Sequence, residues 1–336
     1  MGRHLQLPSA ADARTAISLA RAALDPLRPL LVNLTVTRRC NLSCGYCTEY
    51  DDHSPLVPLA ALEARLDQLR RMRAVLVVLT GGESLLHPRL AEVVAAVRAR
   101  GMTPTVNTNG FLLTEKWIDA LNAAGLSAMQ LSVDAVKPNA VTQKALKTLG
   151  PKLELLSTRA KFRVRVNTVL GAADPEEALE VARTVHALGL EAKVSLLREK
   201  DGTLAKLSPR AEEIFAELQR MQGRGGKLAS TLFSESFQEA MLRDGEMNWK
   251  CRAGARFFHV DEFGRVDLCA PQAGSPGKPL EEYGREDLRR AFESPKPCAA
   301  RCPVAYAHQV SAVDALRPQR GEAWKPGRGA RLPVIG

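Results

Sequence analysis

The sequence switches six times between a short apolar run of strand character and a longer run with apolar residues at helical spacing, and that alternation narrows the fold before any motif is considered. Strands are expected at 31–37, 74–80, 103–107, 128–133, 163–169 and 192–197, where Val, Leu and Thr predominate. Helices are expected at 59–72, 88–100, 114–124, 139–149, 175–188 and 208–221, several opened by a polar cap or a proline such as Thr114 or Asp174 with Pro175. Strands separated by helices pair in parallel through right-handed crossovers, because each helix carries the chain back to the same end of the sheet. The fold class is therefore α/β, either open and doubly wound or curled into a partial barrel, with its site at the carboxyl ends of the strands. A further amphipathic helix over 9–24 precedes the first strand.

Three of the seven cysteines, Cys40, Cys44 and Cys47, crowd the loop that leaves the first strand. Structural zinc takes four ligands, generally as two separated pairs, whereas this C-x3-C-x2-C triplet has no further Cys or His nearby until His53. Three thiolates suit a cuboidal iron-sulfur cluster held at three corners, which leaves one iron open to a substrate or cofactor.

The triplet, with the aromatic Tyr46 before its last cysteine, resembles the cluster loop of the radical S-adenosylmethionine (SAM) enzymes. The resemblance implies a (β/α)6 partial barrel and a 4Fe-4S cluster on Cys40, Cys44 and Cys47, whose open iron chelates SAM. One-electron reduction then cleaves SAM to a 5′-deoxyadenosyl radical. Gly81, Gly82 and Glu83, at the end of the second strand, look like the element that holds the SAM amino group. Asn109, Ser132 and Asp134 match positions that hydrogen-bond its ribose and carboxylate, and Asn167 and Arg198 complete the expected set. Without the resemblance, the glycine pair reads as a turn, Asn and Asp as helix caps or turn formers, and Arg198 as one half of a surface ion pair.

Past Met247 the alternation stops and the other four cysteines appear: Cys251, Cys269, Cys298 and Cys302. Four thiols suit a closed tetrahedral zinc site or a fully ligated second cluster, and spacing alone does not separate these. Residues 257–268 read as a hairpin turning at Gly264. The run from Cys251 through Gly264 to Cys269 resembles the start of the SPASM and twitch extensions of radical SAM enzymes. Four cysteines imply the twitch form, with one auxiliary 4Fe-4S cluster. The C-x3-C spacing of the last pair departs from the pattern and brings His259 and His308 forward as substitute ligands.

A chain of 336 residues, 45% hydrophobic, fills one large core and one smaller one. An odd number of cysteines with three on one loop fits thiolate ligation in a reducing compartment, and neither a secretory signal nor a membrane-length apolar run is found, so a cytoplasmic protein is expected. The net charge of +10, denser at Arg317, Arg320, Lys325, Arg328 and Arg331, suits an anionic substrate, nucleic acid or an anionic membrane surface without choosing among them.

The expected layout is a helical extension over 1–29, the partial barrel over 30–225, a twitch-like auxiliary domain over 226–309 and a basic flexible tail over 310–336. The first segment is expected to be too short for a winged-helix peptide-binding module or a cobalamin domain. The expected function is hydrogen-atom abstraction from a biosynthetic intermediate or a peptide, with electrons from a reductant such as flavodoxin or ferredoxin. The auxiliary cluster accepts an electron or anchors substrate, and the proton acceptor is one of Asp261, Asp267, Tyr306 and His308. One alternative is addition of the adenosyl radical to a lipid, as in the adenosylhopane-forming enzyme. Another is a non-catalytic metal-cluster protein that binds RNA, which is disfavoured because the basic tail offers only Trp324 for stacking.

Overall fold

A computed structural model of the chain describes residues 10–48, 50–199, 201–222 and 236–324. The six expected strands form as β1 (Leu31–Thr37), β2 (Leu76–Gly81), β3 (Thr103–Thr108), β4 (Ala128–Ser132), β5 (Arg163–Leu170) and β6 (Glu191–Leu196). Each pairs in parallel with its neighbour in chain order. Preceding and intervening helices are α1 (Ala10–Leu24), α2 (Leu59–Arg71), α3 (Leu90–Ala99), α4 (Glu115–Ala124), α5 (Leu146–Arg159), α6 (Pro175–Ala187) and α7 (Pro209–Gln222). Side chains alternate across each strand. Val32, Leu34 and Val36 of β1 are fully buried with Leu62, Leu66 and Leu69 of α2 in one core. The intervening Asn33, with Val78, Thr105 and Gln130 of the next three strands, lines a cavity of about 890 Å³ on the opposite face. The fold is thus a partial barrel with helices outside and a lumen inside. One boundary differs from expectation. The helix expected over 139–149 begins at Leu146, because Asn139 Oδ1 accepts from the amides of Val141 and Thr142 and Ala135 bridges Ala145, which holds the preceding segment as a loop.

The sheet does not end at β1. β7 (Phe257–Val260) pairs in parallel with β1, with Leu31 opposite Phe257, and turns at Gly264, whose φ is +83°, into antiparallel β8 (Arg265–Asp267) and β9 (Pro276–Pro279). The expected hairpin is therefore present, and its first strand extends the barrel wall. The cysteine-bearing region also contains α8 (Ser236–Asp244), α9 (Arg285–Glu293) and α10 (Ala305–Ala312).

Arg256, just before β7, holds these parts together. Its fully buried guanidinium donates to the carbonyls of Ala22, Asp25 and Arg28 at 2.7–2.9 Å and pairs with both carboxylate oxygens of Asp314. The end of α1, the start of β7 and the segment after α10 thus converge on one charged group. Residues 310–324 were expected to belong to a flexible tail, and they are packed instead. Arg252 donates to the carbonyl of Arg317 at 2.9 Å, Arg317 to that of Ala23 at 2.8 Å, and the Trp324 amide to Pro295 at 2.7 Å. Of the basic residues there, Lys325, Arg328 and Arg331 lie outside the described residues. No described helix is long and apolar enough to cross a membrane. Substituting Asp314→Ala leaves a buried, uncompensated guanidinium, so denaturant unfolding should show a loss of about 3–5 kcal/mol. A loss under about 1 kcal/mol would show that the carbonyls alone satisfy Arg256.

Candidate functional site

The cysteine loop is pinned to the end of β2 through its backbone. The Gly82 amide donates to Thr37 O and the Glu83 amide to Arg39 O, both at 2.9 Å. The approach is so close that a Cβ on Gly81 would stand 1.9 Å from Thr37 O, and one on Gly82 2.3 Å from the carbonyl oxygens of Arg38 and Arg39. Gly81 also has φ +133°, in the region that favours glycine. The Glu83 carboxylate is fully buried. It accepts from Thr108 Oγ1 at 2.6 Å, the Asn109 amide at 2.6 Å and the Leu85 amide at 2.9 Å. Burial raises its pKa, and these bonds oppose the rise. Glu83 thereby ties the end of β2 to the end of β3. Asn109, placed by that tie, points its Nδ2 at Asn41 Oδ1 (2.8 Å) and at Cys40 Sγ (3.7 Å), while the Leu42 amide stands 3.4 Å from the same sulfur. Three thiols on one loop, with N–H donors aimed at a sulfur over a glycine cradle that any Cβ would fill, fit an iron-sulfur cluster at this place.

Tyr46 is held from the other side. Its hydroxyl donates to Asp134 Oδ2 at 2.6 Å and accepts from Lys144 Nζ, which also pairs with Asp134 at 3.0 Å. Thr142 Oγ1 donates to Asp134 Oδ2 at 2.9 Å and the Val169 amide to Asp134 Oδ1 at 3.1 Å. Burial, and then the Asp134 charge, push the Tyr46 pKa far up, so the phenol stays protonated. Asp134 was expected among groups that face SAM. Its carboxylate is fully buried in this network, which ties the cysteine loop to the end of β4. Ser132 lies opposite Asn167 in the β4–β5 register, and Asn167 Oδ1 accepts from Ser195 Oγ at 2.7 Å at the lumen wall. Arg198 lines the lumen beyond β6 and lies near Cys302. Lys144, Thr108 and Thr142 were not anticipated, because their part depends on contacts with residues distant in sequence.

The four later cysteines lie together. The thiol of Cys269 is raised by burial and then by the charges of Cys251, Cys302 and Cys298. Burial pushes Cys251 up to about 12 and Cys302 up to about 11. Thiols so raised exchange their protons for a metal only where its charge replaces them. Lys296, also buried, donates to Ala291 O and Ser294 O, and burial brings it down to about 8 while the cysteine charges pull the other way. Neither substitute histidine belongs to the set. His308 is stacked between Phe237 and Trp249, with its Nε2 bonded to Cys302 O at 3.0 Å, and burial lowers it to about 4. His259 Nε2 pairs with Thr35 Oγ1 at 2.7 Å within the sheet. Of the four proposed proton acceptors, Tyr306 borders the lumen, whereas Asp261 caps the hairpin turn and Asp267 accepts from Gly274. Among the described residues, no three His, Cys, Asp or Glu side chains close on a point that would seat a single ion. The lumen runs between the two cysteine sets, from Tyr46 and Thr48 to Ala270, Pro303 and Val304, which follow Cys269 and Cys302 in the chain.

Substituting Gly82→Ala forces the cradle off the cysteine loop, and anaerobic reconstitution should then yield about four fewer irons per chain than the unmodified protein. Unchanged iron would refute the cradle. Asp267→Asn tests burial. The carboxyl of Asp267 is raised to about 7, by burial first and then by Asp261, so the folded state binds the extra proton and stability falls as pH rises from about 4 to 7. The amide should therefore be more stable than the acid at pH 8, by on the order of 4 kcal/mol at most, with the gain gone near pH 4. Denaturant midpoints at the two pH values measure it, and a gain independent of pH would exclude the cause given.

Residues 34–197 match the family described as Radical SAM superfamily. The PqqA peptide cyclase of Xanthomonas axonopodis pv. citri is 29% identical over 269 residues, covering 72% of this chain and 68% of that protein. The GTP 3′,8-cyclase of Chlorobaculum tepidum is 31% identical over 181 residues, covering 52% of this chain and 51% of its own length. Among solved structures, Streptococcus suis SuiB bound to its precursor peptide SuiA superposes with a TM-score of 0.61 at 15% identity, over 88% of this chain and 72% of that one, a likeness of fold. The matched segment opens on β1, directly before the cysteine loop, and closes just past β6, so it spans the partial barrel. With that barrel and the match in hand, residues 34–197 form a radical SAM domain and the chain is an enzyme.

Proposed function

We propose that this enzyme removes a hydrogen atom from a peptide substrate held in the barrel lumen, with one auxiliary 4Fe-4S cluster on Cys251, Cys269, Cys298 and Cys302. The observation that carries the reading is the cavity of about 890 Å³ that runs from the Cys40–Cys47 loop to the residues following Cys269 and Cys302. Its length of wall suits a substrate reached from one cysteine set and drained of an electron at the other. When bound, the first cluster and SAM supply a 5′-deoxyadenosyl radical. The chain's own residues do the rest. Gly81 and Gly82 admit the loop, Glu83 and Asn109 brace it, and Tyr46, Asp134 and Lys144 hold its far side. Asn109, Ser132, Asn167 and Arg198 stand at the strand ends where a polar cofactor would meet the barrel. Tyr306 is placed on the lumen to take part in proton movement. A peptide is favoured over a nucleotide because the peptide cyclase aligns across 72% of the chain, whereas the nucleotide cyclase aligns across 52%.

Anaerobic reconstitution should give about eight irons per chain, falling to about four with Cys269→Ala. That variant should still form 5′-deoxyadenosine from SAM under dithionite, but lose turnover of a peptide substrate by about a hundredfold or more. Zinc in place of the second four irons would overturn the auxiliary cluster, and adenosyl bonded to product would replace abstraction by addition.

A further inference from the structure

The lumen is not evenly polar. Towards β1 and β2 its wall is uncharged, with Leu31, Leu76 and Val78 beside Asn33 and Thr80, and is closed by Leu19 and Ala23 of α1, whereas β5 and β6 contribute Arg163, Arg165, Glu191 and Lys193. Around the whole cavity, the described residues place four cations, these three and Arg198, against two carboxylates, Glu191 and Glu199. Two of the cations share one of the acids. Arg163 donates to Glu191 Oε1 at 2.7 Å and Arg165 to Oε2 at 3.4 Å. Burial would raise Glu191, but Arg163 and then Arg165 hold it below the usual carboxylate range, so it stays ionised and the pair of guanidiniums keeps a net positive charge. Both residues line the cavity, and side-chain exposure of 66% for Arg163 and 43% for Arg165 leaves their guanidiniums accessible, where such pairs are weak and exchange partners readily.

Strand register fixes the depth of this charge. Asn107 lies opposite Gln130, Gln130 opposite Arg165, and Arg165 opposite Glu191, so all four share one level of the barrel. Asn109, whose side chain reaches Cys40 Sγ, is two residues further along the chain, just past the end of β3, a rise of about 7 Å. An acidic side chain seated on Arg165 would therefore span the gap towards the cysteine loop with its own methylene carbons.

We propose that Arg163 and Arg165 form a carboxylate-binding wall that selects a substrate segment bearing an acidic side chain. This rests on the reading that the lumen receives the substrate, and it adds which substrates enter. Arg165, with its planar fork, is the specificity-determining group, and Glu191 is the internal competitor that keeps an empty wall partly neutralised.

The test uses ligand-observed NMR titration of the reconstituted protein with three probes. They are N-acetyl-glutamate methylamide, N-acetyl-glutamine methylamide and N-acetyl-glutamine with a free terminal carboxylate. The glutamate methylamide should bind about tenfold more tightly than its glutamine counterpart, and lose that advantage when salt is raised. Preference for the third probe would move selection to a chain terminus and overturn the side-chain assignment. Arg165→Gln should erase the preference and Arg165→Lys restore part of it. Glu191→Gln should tighten the glutamate probe several-fold, a gain that misfolding does not produce. Equal binding of the two methylamides, or a Glu191→Gln protein no tighter than the original, refutes the proposal. Formation of 5′-deoxyadenosine by the unmodified protein is scored separately, so failure of the cleavage chemistry and failure of carboxylate selection give different results.

Discussion

The close seating of the cysteine loop on Gly81 and Gly82 is the constraint from which the rest of the site follows. Backbone meets backbone there, with a Cβ on Gly81 placed 1.9 Å from a carbonyl oxygen, so no side chain relaxation would accommodate any other residue. Two amides pin the loop to β2, and the Glu83 carboxylate carries the restraint across to β3 through Thr108 and Asn109. A buried carboxylate is expensive unless its oxygens are bonded, and here three donors meet it. Glu83 is thereby a fixed brace between the ends of β2 and β3. The far side of the loop is restrained by a different chemistry, an ion pair closed by a phenol. Loss of either side leaves thiols whose spacing is no longer set by the barrel.

A second restraint joins the barrel to the later cysteines. Because β7 pairs with β1, the four-cysteine region is attached to the wall of the first strand. Arg256 reinforces this by collecting three carbonyls in the last turn of α1 and the loop after it, and the carboxylate of Asp314, at one guanidinium. The planar, five-donor geometry of arginine suits this convergence, which a lysine would not reproduce. The relation between the two cysteine sets therefore depends on sheet hydrogen bonds and one buried pair, not on a linker.

The strands and most helices were legible because their apolar residues repeat with the period of the element that buries them. Failures share a cause. The start of α5 was misplaced since the 134–145 loop is held by Tyr46, Asp134 and Asn139, none of which leaves a periodic trace. Four residues, Phe257–Val260, carry too little pattern to announce a seventh parallel strand, and only pairing with β1 reveals it. The segment over 310–324 looked like a solvated basic tail by composition, but its backbone carbonyls accept from Lys250 and Arg252, and Asp314, one of its two acids, is buried against Arg256. The cysteines were visible from spacing alone. Their partners Lys144 and Lys296 were not, as a lysine in sequence says nothing of whether it is buried.

Burial around the later thiols also bears on the order of assembly. With Cys251 raised to about 12 and Cys302 to about 11, ionising the set without metal is unfavourable near neutrality, and each thiolate formed makes the next harder. One buried ammonium, Lys296, offsets part of that repulsion. Four thiolates beside Lys296 and Arg198 would still carry excess negative charge, so a metal centre of the kind proposed would couple its loading to compaction of this region. The first loop differs, since Cys40 and Cys47 are only partly buried and Asn109 and the Leu42 amide already face a sulfur. Its geometry is set by the barrel beforehand. On the reading proposed above, the two sets follow opposite logics: one is a preformed cradle into which a group is placed, and the other is a core that its cluster would complete.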